Sequence, residues 1–335
     1  MKAQASFPMK FKLSQFHMSQ ERMVALLAAI LFIGFSITLP GFIAVENVLS
    51  LVLSVSVLGV LAIGMALVII GRGIDISIVA VMVVSVGWTF VLFGQGANLE
   101  LALLQGLGLA MTFGVLNGLI IAYVEVPAIF ATLATATFVA GFGQYALLPT
   151  DLVYIERDLG LLQVFATGRL ANVPAPVIAF ATLACIGALL LRYTRFGRYL
   201  YGLGDNPAAA RLTGLPARPI TVMMYAFSSI FAFAAGLLMA VTVGNVNTRL
   251  SNSMMVYDVI LVVVIGGIGL SGGKGRIANV LAGTLLIGIL LNGMTIMDLD
   301  FSVQSIIKSV VLLAAIVVDS ILNPRDEQTS QQGDI

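Results

Sequence analysis

Residues 48–70 read VLSLVLSVSVLGVLAIGMALVII, a run of twenty-three residues without one charged side chain. A helix needs about twenty consecutive apolar residues to cross the hydrocarbon core of a bilayer, so this run predicts a transmembrane helix. A lone β-strand cannot cross lipid, because its backbone polar groups would stay unpaired. This stretch therefore indicates an all-α membrane protein.

The same pattern recurs on both sides of this run. Of the 335 residues, 59% are hydrophobic and only 10% are charged, whereas a soluble domain has about 25% charged residues. We predict a polytopic helical membrane protein with about ten transmembrane helices. They lie at residues 23–40, 48–70, 76–94, 99–121, 127–148, 174–192, 219–241, 255–268, 277–295 and 302–321. Residues 23–322 form the transmembrane domain, between an N-terminal tail (1–22) and a polar C-terminal tail (323–335).

The distribution of basic residues predicts the orientation. Thirteen of the seventeen Lys and Arg residues fall on the side of the N-terminus, and Lys308 lies within the last span. Only Arg157, Arg169 and Arg249 fall on the opposite side. Because cytoplasmic loops carry an excess of Lys and Arg, both termini should be cytoplasmic and residues 149–173 periplasmic.

The composition argues against several classes of function. A net charge of +1 is not that of a nucleic-acid-binding protein. With one cysteine, Cys185, and one histidine, His17, neither a disulfide within the chain nor a Cys/His metal site is expected. A nucleophile needs a positioned base, and His17 lies in the N-terminal tail. We therefore predict no catalytic residue, no metal and no cofactor.

The large cytoplasmic loop at residues 193–218 carries a local helix signal. Asp205 or Asn206 can cap a helix, Pro207 suits its first position, and Gly214 suits its end. The alanine-rich sequence between them favours helix. One interpretation is a basic connector, and the other is a docking helix for a cytoplasmic partner. The predicted docking helix comprises Asp205, Asn206, Pro207, Ala208, Ala209, Ala210, Arg211, Leu212, Thr213 and Gly214.

Polar residues within or beside the spans are candidates to line a translocation path. They are Asp75, Ser77, Asn117, Asp258, Asn292 and Lys308. A charge such as that of Lys308 costs roughly 2.5–3.5 kcal/mol within a span, so we expect a carboxylate partner, Asp258 above all. The segment Gly71–Ser77 is either a broken helix beside the path or an ordinary cytoplasmic turn. The alternative for all six residues is local hydrogen bonding or contact with the headgroups.

Leu270–Lys274 reads LSGGK and is similar to the LSGGQ signature of ATP-binding cassette (ABC) ATPases. That signature functions with a phosphate loop of the form G-x-x-x-x-G-K-[ST], and no such loop occurs in this chain. The two glycines suit a tight turn between two spans. We therefore expect no ATP binding of this kind by the chain itself.

Several motifs are similar, in order, to those of one family. They are Gly73–Ser77 (GIDIS), Val126–Leu133 (VPAIFATL), Phe196–Gly214, Asp258–Gly267, Leu270–Arg276 and Ile307–Asp319. Together they make the chain resemble the permease subunits of bacterial ABC importers for ribose and related sugars, in the branched-chain transport system permease family. There are departures from the pattern: Arg72 stands where the family usually has Gly, Ile78-Val79 replaces Val-Gly, and Asp205 replaces a common Gly.

The resemblance implies a transport subunit of the bacterial inner membrane, not an enzyme. It implies three kinds of protein partner: a separate ABC ATPase subunit, a periplasmic solute-binding protein, and a second permease copy or a sister permease. The solute, a sugar or sugar-like compound, would cross by alternating access, which ATP binding and hydrolysis in the partner would drive. No nucleic acid is implied.

Two other classes compete with this interpretation. A secondary transporter couples uptake to an ion through membrane-buried carboxylates, and Asp75 and Asp258 keep that class open. An intramembrane enzyme would need clustered acids or a metal motif near a membrane face, and the sequence contains neither. The sequence does not distinguish pentoses, hexoses, polyols and signalling furanosides as the solute.

Overall fold

The computed structural model describes residues 20–155, 159–160, 162–164, 168–170 and 173–322. The two predicted tails, residues 1–22 and 323–335, lie outside this range apart from residues 20–22. The main helices are α1 (Gln20–Thr38), α2 (Val45–Ile70), α3 (Ile78–Gly94), α4 (Leu99–Tyr123), α5 (Ala128–Phe142), α6 (Ala175–Tyr193), α7 (Arg195–Asp205), α8 (Pro207–Leu212), α9 (Ala217–Val243), α10 (Met255–Ile265), α11 (Ile277–Ile296) and α12 (Phe301–Leu322). The all-α prediction is confirmed.

Short elements complete the described chain. A π-helical turn, Gly143–Leu147, extends α5, and a 3₁₀ helix, Thr248–Asn252, precedes α10. The strands are β1 (Leu152–Tyr154), β2 (Arg169–Leu170), β3 (Val173–Pro174) and β4 (Asn245–Asn247). They form two small antiparallel pairs, β1 with β4 and β2 with β3.

Each of the ten predicted spans corresponds to a helix. Within the described residues, seven helices are long and apolar enough to cross a membrane, and α3, α10 and residues 301–317 of α12 are shorter apolar helical segments. Helix α10 has 11 residues and rises about 16 Å, roughly half of a hydrocarbon core. It ends at Gly266, before the predicted limit at residue 268, because the chain turns at Gly266 and Gly267.

The core lies around α2 and α3. Residues 55–70 of α2 are buried throughout, and α9 packs along α2, α3 and α4. Gly114 and Gly118, small residues four positions apart, let α4 approach α9 closely. A Cβ atom at Gly118 would lie 2.5 Å from the Cα atom of Val222, and one at Gly114 would overlap Ser229.

The two ends of α9 meet different loops. At its C-terminal end, β4 pairs with β1, and Arg249 forms an ion pair with Asp151 at 2.7 Å. Its N-terminal end follows α8 and lies at the face where the loop 71–77 meets the loop after α10. Loops that the charge pattern assigns to one side of the membrane therefore contact one another, while the identity of the cytoplasmic face stays a prediction.

Candidate functional site

Of the predicted docking segment, residues Pro207–Leu212 form the short helix α8, whereas Asp205 is the last residue of α7 and not part of this helix. The Asn206 side chain accepts a hydrogen bond from the backbone N–H of Ala209 at 3.0 Å, and Pro207 occupies the first helical position. Gly214 ends the segment with a φ of +78°, a conformation that favours glycine. Leu212 is 90% exposed at the tip, whereas Ala210 is buried against the rest of the protein. The helix thus presents a small, partly apolar surface.

Helix α7, which carries α8, was not predicted from the sequence. The Thr194 side chain accepts a hydrogen bond from the N–H of Gly197 at 3.1 Å and so caps the start of α7. Phe196, Leu200 and Leu203 are buried on one face at i, i+4 and i+7 spacing. That spacing is visible in the sequence, but the prediction for this loop contained a single short helix and none over residues 195–204. Two consecutive helices, not one, occupy this loop.

The end of α7 meets two other loops at a close junction. The backbone N–H of Gly273 donates to the carbonyl of Ile70 at 2.8 Å. A Cβ atom at Gly273 would lie 2.6 Å from the Cα atom of Asp205, and one at Gly204 would overlap the Ile70 carbonyl. We call this place, where residues 70–72, 204–205 and 272–273 meet, the glycine junction. The LSGGK motif thus forms part of a tight turn, as predicted.

The side chain of Arg72 crosses the glycine junction. Its Nε donates to the carbonyl of Gly204 at 2.6 Å, and a terminal guanidinium nitrogen donates to the carbonyl of Asp205 at 2.7 Å. Arg72 has a φ of +65°, a left-handed conformation that costs a residue with a side chain roughly 1–2 kcal/mol. A glycine would adopt the same backbone conformation without that cost.

A second contact holds α7 against the start of α11. The Tyr201 hydroxyl donates to the carbonyl of Gly275 at 2.6 Å. Burial raises the pKa of the Tyr201 phenol, and the nearby Arg276 guanidinium partly opposes that rise. The phenol therefore stays protonated and keeps this donor role at neutral pH.

Three of the predicted path residues come together at the start of α3. The side chain of Asn117 donates to the Ser77 hydroxyl at 2.8 Å, and that hydroxyl donates to Asp75 at 2.6 Å. Ser228 of α9 donates to the other carboxylate oxygen of Asp75 at 2.9 Å. All four residues are buried, and among the described side chains the Asn117 carbonyl oxygen is the buried polar atom without a partner. We call these four residues the Asp75 cluster.

The Asp75 cluster joins three helices, α3, α4 and α9. Because the hydroxyl groups of Ser77 and Ser228 donate to Asp75, and the N–H of Ser77 does so too at 3.1 Å, the arrangement suits a hydrogen-bond acceptor at the N-terminus of α3. The carbonyl of Ile74 also accepts from Thr132 of α5 at 3.1 Å. Neither the role of Ser228 nor that of Thr132 was recognised in the sequence, since hydroxyl groups are common within spans.

Lys308 and Asp258 form the predicted ion pair. The Nζ atom of Lys308 lies 3.0 Å from Asp258, and the two side chains are 13% and 15% exposed. The pair borders a cavity of about 380 Å³ between α10 and α12, whose walls are mostly apolar. Tyr257, Ser305 and Ser309 add hydroxyl groups to that wall. A neutral polyhydroxylated solute could hydrogen-bond to such groups.

Asn292 lies in a third place. Its amide donates to the side chain of Asn47 at 2.8 Å, and the Asn47 amide donates back at 2.9 Å. This reciprocal pair joins α2 to α11. The six predicted path residues thus fall into three separate groups, of which the pair of Asp258 and Lys308 borders an open cavity.

Within the described residues, no group of three or more His, Cys, Asp or Glu side chains could hold a metal ion.

A family model described as branched-chain amino acid transport system / permease component matches residues 47–317. No solved structure gives a significant match.

Several curated proteins are similar to the chain over most of its length. The ribose import permease protein RbsC of Escherichia coli (strain K12) is 32% identical over 305 residues, which are 90% of this chain and 94% of that protein. RbsC of Bacillus subtilis (strain 168) is 32% identical over 87% of this chain and 89% of its own. The L-arabinose transport system permease protein AraH of Escherichia coli (strain K12) is 33% identical over 87% and 88%.

Proposed function

Because the chain belongs to the branched-chain amino acid transport system / permease component family, we propose that it is the membrane-spanning subunit of an ABC importer for a sugar or sugar-like solute. The observation that carries this proposal is the similarity over 90% of the chain to a ribose import permease. The protein is a multi-pass protein of the inner membrane and a transport subunit, with ATP hydrolysis in a separate chain.

The shape of α8 supports an ATPase partner on the cytoplasmic side. Because ATP is hydrolysed in another chain, the conformational change of the ATPase must reach this chain across a protein interface. A rigid surface element of this chain is needed to transmit it. Helix α8 is capped at both ends by its own sequence, and it exposes Leu212 and Arg211. Leu212 would enter an apolar groove of the partner, and Arg211 would meet a carboxylate there.

The orientation of the chain is part of the proposal. With α8 facing the cytoplasm, both termini are cytoplasmic, and the paired strands β1 and β4 face the periplasm. The exposed ion pair of Arg249 and Asp151 lies beside these strands. A periplasmic solute-binding protein would dock on this side and deliver the solute.

The solute path is proposed to pass the cavity beside Lys308 and Asp258. Of the six path candidates, these two border an open cavity, whereas the Asp75 cluster is buried between helices. The outer face of α12 exposes apolar side chains, among them Ile306, Val310 and Leu313. A second permease copy or a sister permease covering this face would complete the path, and lipid would cover the remaining apolar surface.

Uptake by proteoliposomes tests the proposal. The chain would be reconstituted with its cognate ATPase and solute-binding protein, and supplied with radiolabelled ribose, L-arabinose or leucine. We expect accumulation of a sugar that requires ATP. Accumulation of leucine without either sugar would contradict the solute class. Uptake driven by an ion gradient without the ATPase would contradict the ABC mechanism and favour a secondary transporter.

A further inference from the structure

Arg72 binds the end of the helix that carries the docking helix. Asp205 is the last residue of α7, and Asn206 after it caps α8. The last carbonyl groups of a helix lack partners within the helix and carry partial negative charge, so they attract a cation. The two hydrogen bonds from Arg72 at 2.6 and 2.7 Å satisfy two of these carbonyls.

The glycine junction around Arg72 leaves little room for independent movement. The backbones of Gly204 and Gly273 touch each other and the end of α2 directly, without intervening side chains. The hydrogen bond from Gly273 to Ile70 adds a third connection. Close-packed groups transmit displacement instead of absorbing it. A shift of α7 would therefore reach the start of the loop 71–77.

The other end of this loop is attached to the transmembrane helices. Two residues after Arg72, the carbonyl of Ile74 accepts from α5, and the following residue, Asp75, accepts from Ser228 of α9. Three residues of extended chain span at most about 11 Å. A short segment thus connects the carrier of the docking helix to the Asp75 cluster.

The left-handed backbone conformation of Arg72 coincides with its two side-chain hydrogen bonds to the end of α7. A residue with a side chain persists at a φ of +65° when the surrounding contacts hold it there. A glycine at this position would satisfy the backbone but would leave the two carbonyls at the end of α7 without the guanidinium. Resting on the docking role proposed for α8, we propose that Arg72 is a positioning residue that transmits displacement of the docking helix to the Asp75 cluster.

The first measurement uses the purified chain alone. Arg72→Gly removes the side chain and keeps the backbone conformation, while Arg72→Lys keeps the charge with fewer donors. Arg195→Ala, at the other end of α7, is the control with the same loss of charge. Hydrogen exchange at residues 203–209 should be about tenfold faster in Arg72→Gly. It should be intermediate in Arg72→Lys and unchanged in Arg195→Ala. An unchanged exchange rate at residues 203–209 in Arg72→Gly would show that the Arg72 side chain does not stabilise the end of α7, and would overturn the proposal.

The second measurement uses the complex with the cognate ATPase. Addition of MgATP with vanadate should change exchange at residues 73–78 by about threefold or more in the wild type. In Arg72→Gly the complex should still form and this response should disappear. A response like that of the wild type in Arg72→Gly, or no response in the wild type, would overturn transmission through Arg72. Loss of the complex in Arg72→Gly would also overturn it, because Arg72 would then serve the docking surface itself.

A separate variant distinguishes this proposal from the docking role on which it rests. Ala209→Glu alters the exposed face of α8 and leaves the glycine junction intact. If the docking role is right, this variant weakens complex formation while exchange at residues 203–206 of the isolated chain stays at the wild-type rate. If Ala209→Glu forms the complex normally, the docking role fails. The hydrogen-exchange result for Arg72→Gly in the purified chain would still describe how Arg72 stabilises the glycine junction, because that measurement does not involve the ATPase.

Discussion

Replacing Lys308 by Met should destabilise the protein by leaving the Asp258 carboxylate without its partner. The charges are 3.0 Å apart, and an effective dielectric constant of about 20 gives an attraction of roughly 5–6 kcal/mol. Removing both charges from water offsets much of that attraction, and truncating one partner of a buried pair typically costs about 3–5 kcal/mol. Because the pair borders a cavity that water can enter, we expect Lys308→Met to lower the free energy of unfolding by about 3 kcal/mol, the lower end of that range.

A double-mutant cycle isolates the pair itself. Asp258→Asn alone should lower the free energy of unfolding by a similar amount, because it leaves the ammonium group of Lys308 poorly solvated and without its partner. The double variant, Lys308→Met with Asp258→Asn, leaves no unpaired charge. It should therefore be at least about 2 kcal/mol more stable than the sum of the two single losses predicts.

Arg249→Ala is the matched control for this cycle. It breaks an ion pair with Asp151 of comparable length, 2.7 Å, whose side chains are 77% and 55% exposed. Exposed pairs contribute about 0.2–1 kcal/mol. Unfolding would be followed in mixed micelles with increasing SDS, by circular dichroism and by the fluorescence of Trp88. Equal losses in Lys308→Met and Arg249→Ala, or strictly additive losses in the cycle, would refute the reasoning.

Three further predictions concern docking, orientation and packing. Ala209→Glu should weaken binding of the ATPase or uncouple hydrolysis from uptake, and wild-type transport in this variant would make the docking assignment wrong. In a background without the native cysteine, an impermeant thiol reagent on spheroplasts should label a cysteine at Asp151 and not one at Thr213, whereas the reverse result would invert the orientation. Gly204→Ala should lower stability by roughly 1–3 kcal/mol, because the added methyl overlaps the Ile70 carbonyl. At Gly202, in the same helix, an added Cβ atom would lie 3.4 Å from a methyl carbon of Leu215, an ordinary van der Waals distance. Gly202→Ala should therefore leave the stability unchanged or raise it.

Local signals determined the spans and helix α8. An apolar run of about twenty residues has few alternatives in a membrane, so all ten predicted segments became helices. Helix α8 was predictable because Asn206, Pro207 and Gly214 act on their immediate neighbours. The ion pair of Lys308 and Asp258 followed from the cost of a lone charge within a span, which leaves few possible partners.

The contacts between the helices were decided only by the tertiary structure. The spans are apolar on nearly all sides, so their sequences do not indicate which face meets which neighbour. Arg72 reaches carbonyls 132 and 133 positions away, and Ser228 reaches Asp75 across 153 positions. Such partners depend on the rotation and depth of each helix, which the close approaches at Gly114, Gly118 and the glycine junction set. Because those approaches arise only when the helices pack together, the sequence supplied the candidate residues and the packed structure determined which of them meet.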